Sequence, residues 1–238
     1  MDIWVRAGLV LVANALICGL VCLAPSAFAD QTISFCSGNG NYGDADALVT
    51  MLLGPQSGEF TGALTPASFA AADAGPSAVI PWLQSAAWLW NLSYDSSAKW
   101  ISVSQGGYTD GRTALYATNF EITEAALQSA TLDIYYAVDD CLGGTNNQGV
   151  FLNGTAISGD SRGDKCDSEQ WIHRDDIVPL LTLGQNTLFF NATDSSGPGG
   201  LLFSATIKTT VAVPEISGFL ALSCGLIGLV AAIGRSRR

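Results

Sequence analysis

Ala130-Thr131-Leu132-Asp133-Ile134-Tyr135-Tyr136-Ala137-Val138 is the stretch that decides the fold of this chain. Successive side chains of a strand point to opposite faces, so Leu132, Ile134, Tyr136 and Val138 share one apolar face, and that face needs a second sheet to pack against. Similar β-branched and aromatic runs recur on either side, separated by clusters of Gly, Asn, Asp and Ser. They predict strands over 87–93, 100–104, 113–122, 129–138, 149–152, 155–157, 187–193 and 201–210. Only 124–128 and 175–181 suggest short helical turns, and no long apolar stripe of period 3.6 appears. The expected class is all-β, a two-sheet β-sandwich. Residues 30–85 are rich in Ala, Gly, Ser and Pro, with turns marked by Asn39-Gly40-Asn41-Tyr42-Gly43 and by Ala70-Ala71-Ala72-Asp73-Ala74-Gly75-Pro76. That stretch is too short and apolar-poor to fold alone, and is expected to supply first strands and edge loops to the same sandwich.

Composition narrows the function classes. Among 238 residues, 10 Lys and Arg stand against 21 Asp and Glu, a formal charge of −11 with 13% charged and 48% hydrophobic residues. A disordered chain needs lower hydrophobicity, and a nucleic-acid binder needs clustered cations to displace counterions from phosphates. With one histidine, His173, a His-rich metal centre is excluded.

Both ends carry transport signals. Arg6 precedes an apolar run from Ala7 to about Ala24, followed by Pro25-Ser26-Ala27-Phe28-Ala29-Asp30. This is the anatomy of a secretory signal peptide, with small residues Ala27 and Ala29 placing cleavage by signal peptidase after Ala29. At the other end Val213-Pro214-Glu215 precedes an uncharged run from Ile216 to Ile233 and then Gly234-Arg235-Ser236-Arg237-Arg238. Eighteen helical residues span about 27 Å, close to the hydrocarbon thickness of a bilayer, and the terminal arginines would hold that end in the cytoplasm. The expected divisions are therefore 1–29 signal peptide, 30–85 first strands and loops, 86–212 sandwich, and 213–238 sorting tail with a transmembrane helix.

Val213-Pro214-Glu215, the Gly-, Ala- and Leu-rich span and the Arg cluster together resemble the PEP-CTERM sorting signal. The resemblance covers about the last 26 residues and implies processing by exosortase in a Gram-negative bacterium; Ile216 stands where the second proline of the motif is usual. A second resemblance covers roughly residues 82–207. The ordered phrases Trp100-Ile101-Ser102, Ala117-Thr118-Asn119-Phe120-Glu121-Ile122, Ala137-Val138-Asp139-Asp140, Val150-Phe151-Leu152-Asn153-Gly154, Gly184-Gln185-Asn186-Thr187-Leu188 and Gly197-Pro198-Gly199-Gly200-Leu201 look like a galactose-binding-like jelly roll. This implies the sandwich class without naming a ligand, because that fold hosts lectins, enzyme accessory modules and plain structural domains.

Removing the signal peptide and the tail leaves six basic and nineteen acidic side chains, a formal charge of −13. Three cysteines remain, and an oxidising exterior favours pairing two of them. Cys141 with Cys166 is the expected disulfide, closing a loop of about 25 residues for roughly 3–4 kcal/mol in the chain-entropy model, with Cys36 left over. Asp139 and Asp140 end an apolar strand, with Asn146, Asn147 and Asn153 nearby in sequence, a set of hard oxygen donors suited to Ca2+ or to sugar hydroxyls. Strand-end turn bonding by Asp139 is the alternative. Asp160, Asp164, Asp167 and Glu169 read as a solvated loop. Trp88 and Trp90 are expected on one face of a strand, and Trp82 and Trp171 are candidates for a sugar-stacking platform, since pyranose C–H groups pack on indole faces. His173 lies beside Arg174-Asp175-Asp176, with no Gly-x-Ser-x-Gly elbow to make a hydrolase of it. The functional expectation is an exported, non-catalytic surface or matrix protein of the cell envelope that adheres to polysaccharide or other matrix components. A glycan-acting secreted enzyme and a purely structural matrix component are the alternatives.

Overall fold

The computed structural model describes residues 30–82, 84–106, 111–158 and 165–211. The expected signal peptide with Ala27 and Ala29, the expected sorting tail with Val213, Pro214 and Glu215, and the loop acids Asp160 and Asp164 lie outside the described residues. Among the described residues no helix is long and apolar enough to cross a membrane.

Two antiparallel sheets face each other. The smaller is ordered β1-β11-β5-β9, from β1 (Gln31–Cys36), β11 (Leu201–Val211), β5 (Leu127–Val138) and β9 (Lys165–Arg174). The larger is ordered β3-β2-β4-β10-β7-β8, from β3 (Ser77–Val79), β2 (Ala45–Leu53), β4 (Ala114–Ile122), β10 (Gly184–Thr193), β7 (Val150–Leu152) and β8 (Thr155–Ser158), and the short β6 (Cys141–Leu142) also pairs with β10. Residues 30–85 thus contribute β1 to one sheet and β2 and β3 to the other.

Alternation in β5 sets the main core. Leu132, Ile134, Tyr136 and Val138 are buried between the sheets with Tyr116, Phe120, Leu188, Phe190 and Phe203. Rings bridge the two layers: Phe190 stacks on Phe203 at 4.4 Å and Phe35 on Phe120 at 5.6 Å. Two smaller apolar clusters cover the outer faces. On the larger sheet, helix α1 (Pro66–Asp73) lays Phe69 and Ala72 on Leu115, Ala117, Phe151 and Phe189. The helix starts where Thr65 caps it, Thr65 Oγ1 accepting from Ser68 N at 3.3 Å, with Pro66 pre-set for the first turn. On the smaller sheet, Trp88, Leu92, Ala98 and Trp100 lie against Ala137, Cys166 and Leu202.

Several expectations need correction. Residues 87–93 are not a strand, and Trp88 and Trp90 do not share a face: Trp88 is buried at 3% exposure and Trp90 is 79% exposed. The segment lies across the sheet and is held by Leu89 N donating to Cys166 O at 2.6 Å and Trp100 Nε1 to Leu89 O at 2.7 Å. The region 100–104 forms only isolated bridges, Ile101 to Leu201 and Ser102 to Val79. Residues 124–126 are a turn with Ala126 at φ 61° and 127–128 already belong to β5, while 175–181 hold a single 3-10 turn, Val178–Leu180. Cys141 and Cys166 are not bonded to each other. The Asp139-Asp140 turn carries the chain from the smaller sheet to the larger, so Cys141 pairs with Thr193 there while Cys166 stays buried on the outer face of the smaller sheet.

Candidate functional site

The open part of the smaller sheet's outer face carries an aromatic strip. With Leu132, Ile134 and Tyr136 turned inward, Asp133 and Tyr135 point outward, and the β5–β9 register sets Tyr135 opposite Trp171 and Asp133 opposite His173. Tyr94, from the segment across the sheet, stacks on Tyr135 with centroids 4.2 Å apart and planes at 11°. Tyr135 continues to Trp171 at 6.3 Å and 20°, and Trp171 to His173 at 5.6 Å and 35°. Trp171 is 59% exposed and Tyr94 51%.

Polar groups lock these rings. Asp133 Oδ1 accepts from Trp171 Nε1 at 3.1 Å and from His173 Nδ1 at 2.8 Å, fixing both rings of β9 in one orientation. Glu169 accepts from Ser93 N at 2.5 Å and Ser93 Oγ at 2.7 Å, and Asp95 accepts from Ser204 Oγ at 2.9 Å, so the wall bearing Tyr94 is tied to β9 and β11. Desolvation, and then the negative field of Asp133, raise the Tyr135 phenol above its usual value, so its hydroxyl remains a donor at neutral pH. Flat faces flanked by a carboxylate, an imidazole and a phenol are what a pyranose needs: C–H groups stack on rings and hydroxyls find donors and acceptors.

The other sequence candidates are dispersed. Asp139 is buried and accepts from Trp88 Nε1 at 2.6 Å, anchoring the indole that stacks on Trp100 at 4.3 Å. Asp140, at φ 64°, accepts from Ser195 N at 2.5 Å and Ser195 Oγ at 2.9 Å. Asn146 N donates to Glu59 at 2.8 Å, and Asn147 Oδ1 accepts from Leu64 N at 2.6 Å, so this loop is fastened to residues 59–64. Asn153 at φ 50° and Gly154 at φ 81° form the two-residue turn between β7 and β8, where an ordinary side chain at Gly154 would be strained. Asn153 Oδ1 accepts from Thr187 N at 2.8 Å near the start of β10, whereas Cys141, next to Asp140, pairs with Thr193 at its end. Six strand residues at about 3.3 Å each put roughly 20 Å between those places, so Asn153 does not join Asp139 and Asp140 in one ligand set. Trp82 is 66% exposed but packs over Gly43, away from the strip's stacked series. Sequence reasoning marked Trp171 and missed Tyr94, Tyr135 and Asp133; the readable signal was the spacing of Trp171 and His173, two rings on one face of a strand.

No family model matches the chain, and no curated protein matches it. Among solved structures, the chain is similar to a family 35 carbohydrate binding module from Clostridium thermocellum, with 14% identity, 42% of this chain and 81% of that one covered, and a TM-score of 0.25. It is similar to CBM35 from Paenibacillus barcinonensis, with 14% identity, 74% and 97% covered, and a TM-score of 0.29. It is also similar to an exo-β-1,3-galactanase from Phanerochaete chrysosporium, with 15% identity, 46% of this chain and 26% of that one covered, and a TM-score of 0.25. These values are too low to carry any residue's role across.

Proposed function

We propose that this protein is a non-catalytic glycan binder that holds a polysaccharide on the strip Tyr94–Tyr135–Trp171–His173. The observation that carries the reading is the strip itself: a row of rings at an open face, of which the two on β9 are oriented by one shared carboxylate, Asp133. Because it is an open face and not a closed pocket, it suits internal units of a chain more than a chain end. A formal charge of −13 on the exported part repels uronate polymers at low salt and favours uncharged or amine-bearing glycans. The secretory leader, with its Ala27 and Ala29 cleavage site, and the PEP-CTERM-like tail at Val213-Pro214-Glu215 belong to the same proposal. They route the protein through signal peptidase and exosortase to the surface or extracellular matrix of a Gram-negative cell, where glycan attachment is adhesive or structural.

The test is titration calorimetry of the purified full chain with a neutral β-glucan, chitosan and alginate, wild type beside Trp171→Ala. Binding to one of the first two, weakened by the substitution, is expected. Equal binding by the variant would remove the strip from the reading.

A further inference from the structure

Among the described residues two aspartates, Asp46 and Asp194, are almost wholly buried, and their surroundings are opposite. Asp46, 1% exposed, accepts four backbone N–H bonds: Gly38 at 2.6 Å, Asn39 at 3.3 Å, Leu48 at 2.8 Å and Val49 at 3.2 Å. Asp194, 2% exposed at the end of β10, accepts none; both carboxylate oxygens are shut from solvent without a donor. Its backbone is satisfied, N donating to Thr113 Oγ1 at 2.9 Å and O accepting from Gly58 N at 2.7 Å, so the orphan is the side chain alone. Buried polar groups are nearly always partnered, and one that is not points to something missing.

The charges around Asp194 make matters worse for an ionised side chain. Asp140 faces it from the β5–β6 turn, Asp139 stands next to that, and Tyr116 of β4 lies on the core side. Arg112, one residue from the close approach at Gly111, turns its Nε to Gly54 O at 2.7 Å. Desolvation first, and then the Asp140 charge, push the Asp194 carboxyl up to about 7. Two carboxylates are both acceptors, so they bond to each other only through a shared proton or a cation. A backbone carbonyl oxygen also lies beside the Asp194 carboxylate. A methyl group at Gly111 would collide with the Gly197 carbonyl oxygen and stand 2.8 and 2.9 Å from the two Asp194 oxygens, so all three oxygens face the Gly111 backbone. Among the described residues no three acidic, His or Cys side chains gather as metal ligands. The donor set is thus mixed, two carboxylates with a backbone carbonyl, and the flexible all-oxygen coordination of Ca2+ accepts such a mixture.

We propose that Asp194, Asp140 and the Gly197 carbonyl oxygen form a binding site for a hard divalent cation of the Ca2+ class, joining the β5–β6 turn to the β10–β11 loop. The site is independent of the aromatic strip. It replaces the set of Asp139, Asp140, Asn146 and Asn153 suggested by sequence with one built on a buried residue that sequence does not single out.

The experiment is scanning calorimetry of the full chain at pH 8 in calcium chloride and in EGTA, for wild type, Asp194→Asn and Asp140→Asn. Wild type is expected to melt higher in calcium. Asp194→Asn is expected to melt at one temperature in both buffers, above wild type in EGTA because the repulsion is gone. Asp140→Asn should keep only part of the calcium response, and should lose calcium affinity in titration calorimetry, a readout that survives if Asp194→Asn does not fold. Equal wild-type melting in calcium and EGTA, with the same loss of stability between pH 6 and 8 in both, would mean that the pair only shares a proton and would overturn the proposal. A calcium response retained by Asp194→Asn would overturn it too, by placing the ion elsewhere.

Discussion

The segment 84–100 contributes to two ring stacks of nearly equal geometry and opposite fate. Trp88 and Trp100 stack at 4.3 Å and are 3% and 0% exposed, with each indole N–H consumed inside the protein. Tyr94 and Tyr135 stack at 4.2 Å, yet Tyr94 is 51% exposed and the series continues to Trp171. Stacking distance therefore does not tell a closed core from an open face. What separates the two is solvent access and the direction in which polar groups are spent: inward to fasten the segment, or sideways to orient a ring that stays bare.

The largest effect should come from the buried stack. Trp88→Ala removes an indole from a closed cluster and the donor that Asp139 accepts, and is expected to cost about 3–5 kcal/mol in denaturant unfolding. Cys166→Ser puts a hydroxyl into the same cluster and should cost about 1–3 kcal/mol, with Cys141→Ser adding independently. A disulfide between them would instead make either substitution, and both together, cost the same. Trp171→Ala reverses the pattern: stability should change by less than about 1 kcal/mol, while affinity for the bound glycan falls at least about tenfold. If Trp171→Ala unfolds the protein and leaves binding intact in the folded remainder, the two stacks have been assigned the wrong way round.

The smallest effect belongs to the tether between them. Desolvation raises the Asp95 carboxyl, but hydrogen bonds from Ser97 and Ser204 outweigh it and hold the group below its usual value. A depressed acid contributes stability that is complete above the unfolded value, near 3.8, and is lost as pH falls through the folded one. Asp95→Asn should remove this acid dependence at a cost under about 1 kcal/mol, read as a small loss of unfolding free energy at pH 7.

The sandwich was legible where strands are central and apolar. β4, β5, β10 and β11 announce themselves through Leu115, Leu132, Phe190 and Phe203, because a strand buried on one or both faces must be rich in such residues. β9 was not, since Lys165–Arg174 is an edge strand with half-exposed faces and shows no period-2 apolar pattern. β1, another edge strand, hid in polar composition for the same reason. Residues 87–93 failed in the opposite sense: their apolar side chains imitate a strand, although their burial comes from lying flat on one. Of the strip, Trp171 was visible as a spare indole. Its partners were invisible because the register that sets Tyr135 beside it is a long-range property. Asp194 was hidden more deeply, since nothing local distinguishes an aspartate with four donors from one with none.

β1 enters beside the strand by which the chain leaves, Gln31 opposite Thr209. This has a mechanical meaning. Tension between the entering and leaving chain would peel β1 from β11 one residue pair at a time, so little force is needed. A load carried along the strands from Trp171 to Val211 instead runs through the long β5–β11 ladder, where registered pairs from Leu201–Val138 to Thr210–Ser129 bear it together. Hydrogen bonds perpendicular to such a pull fail in concert and at higher force. The sandwich is thus weak when pulled apart at Gln31 and Val211 and strong against a pull along β5 and β11.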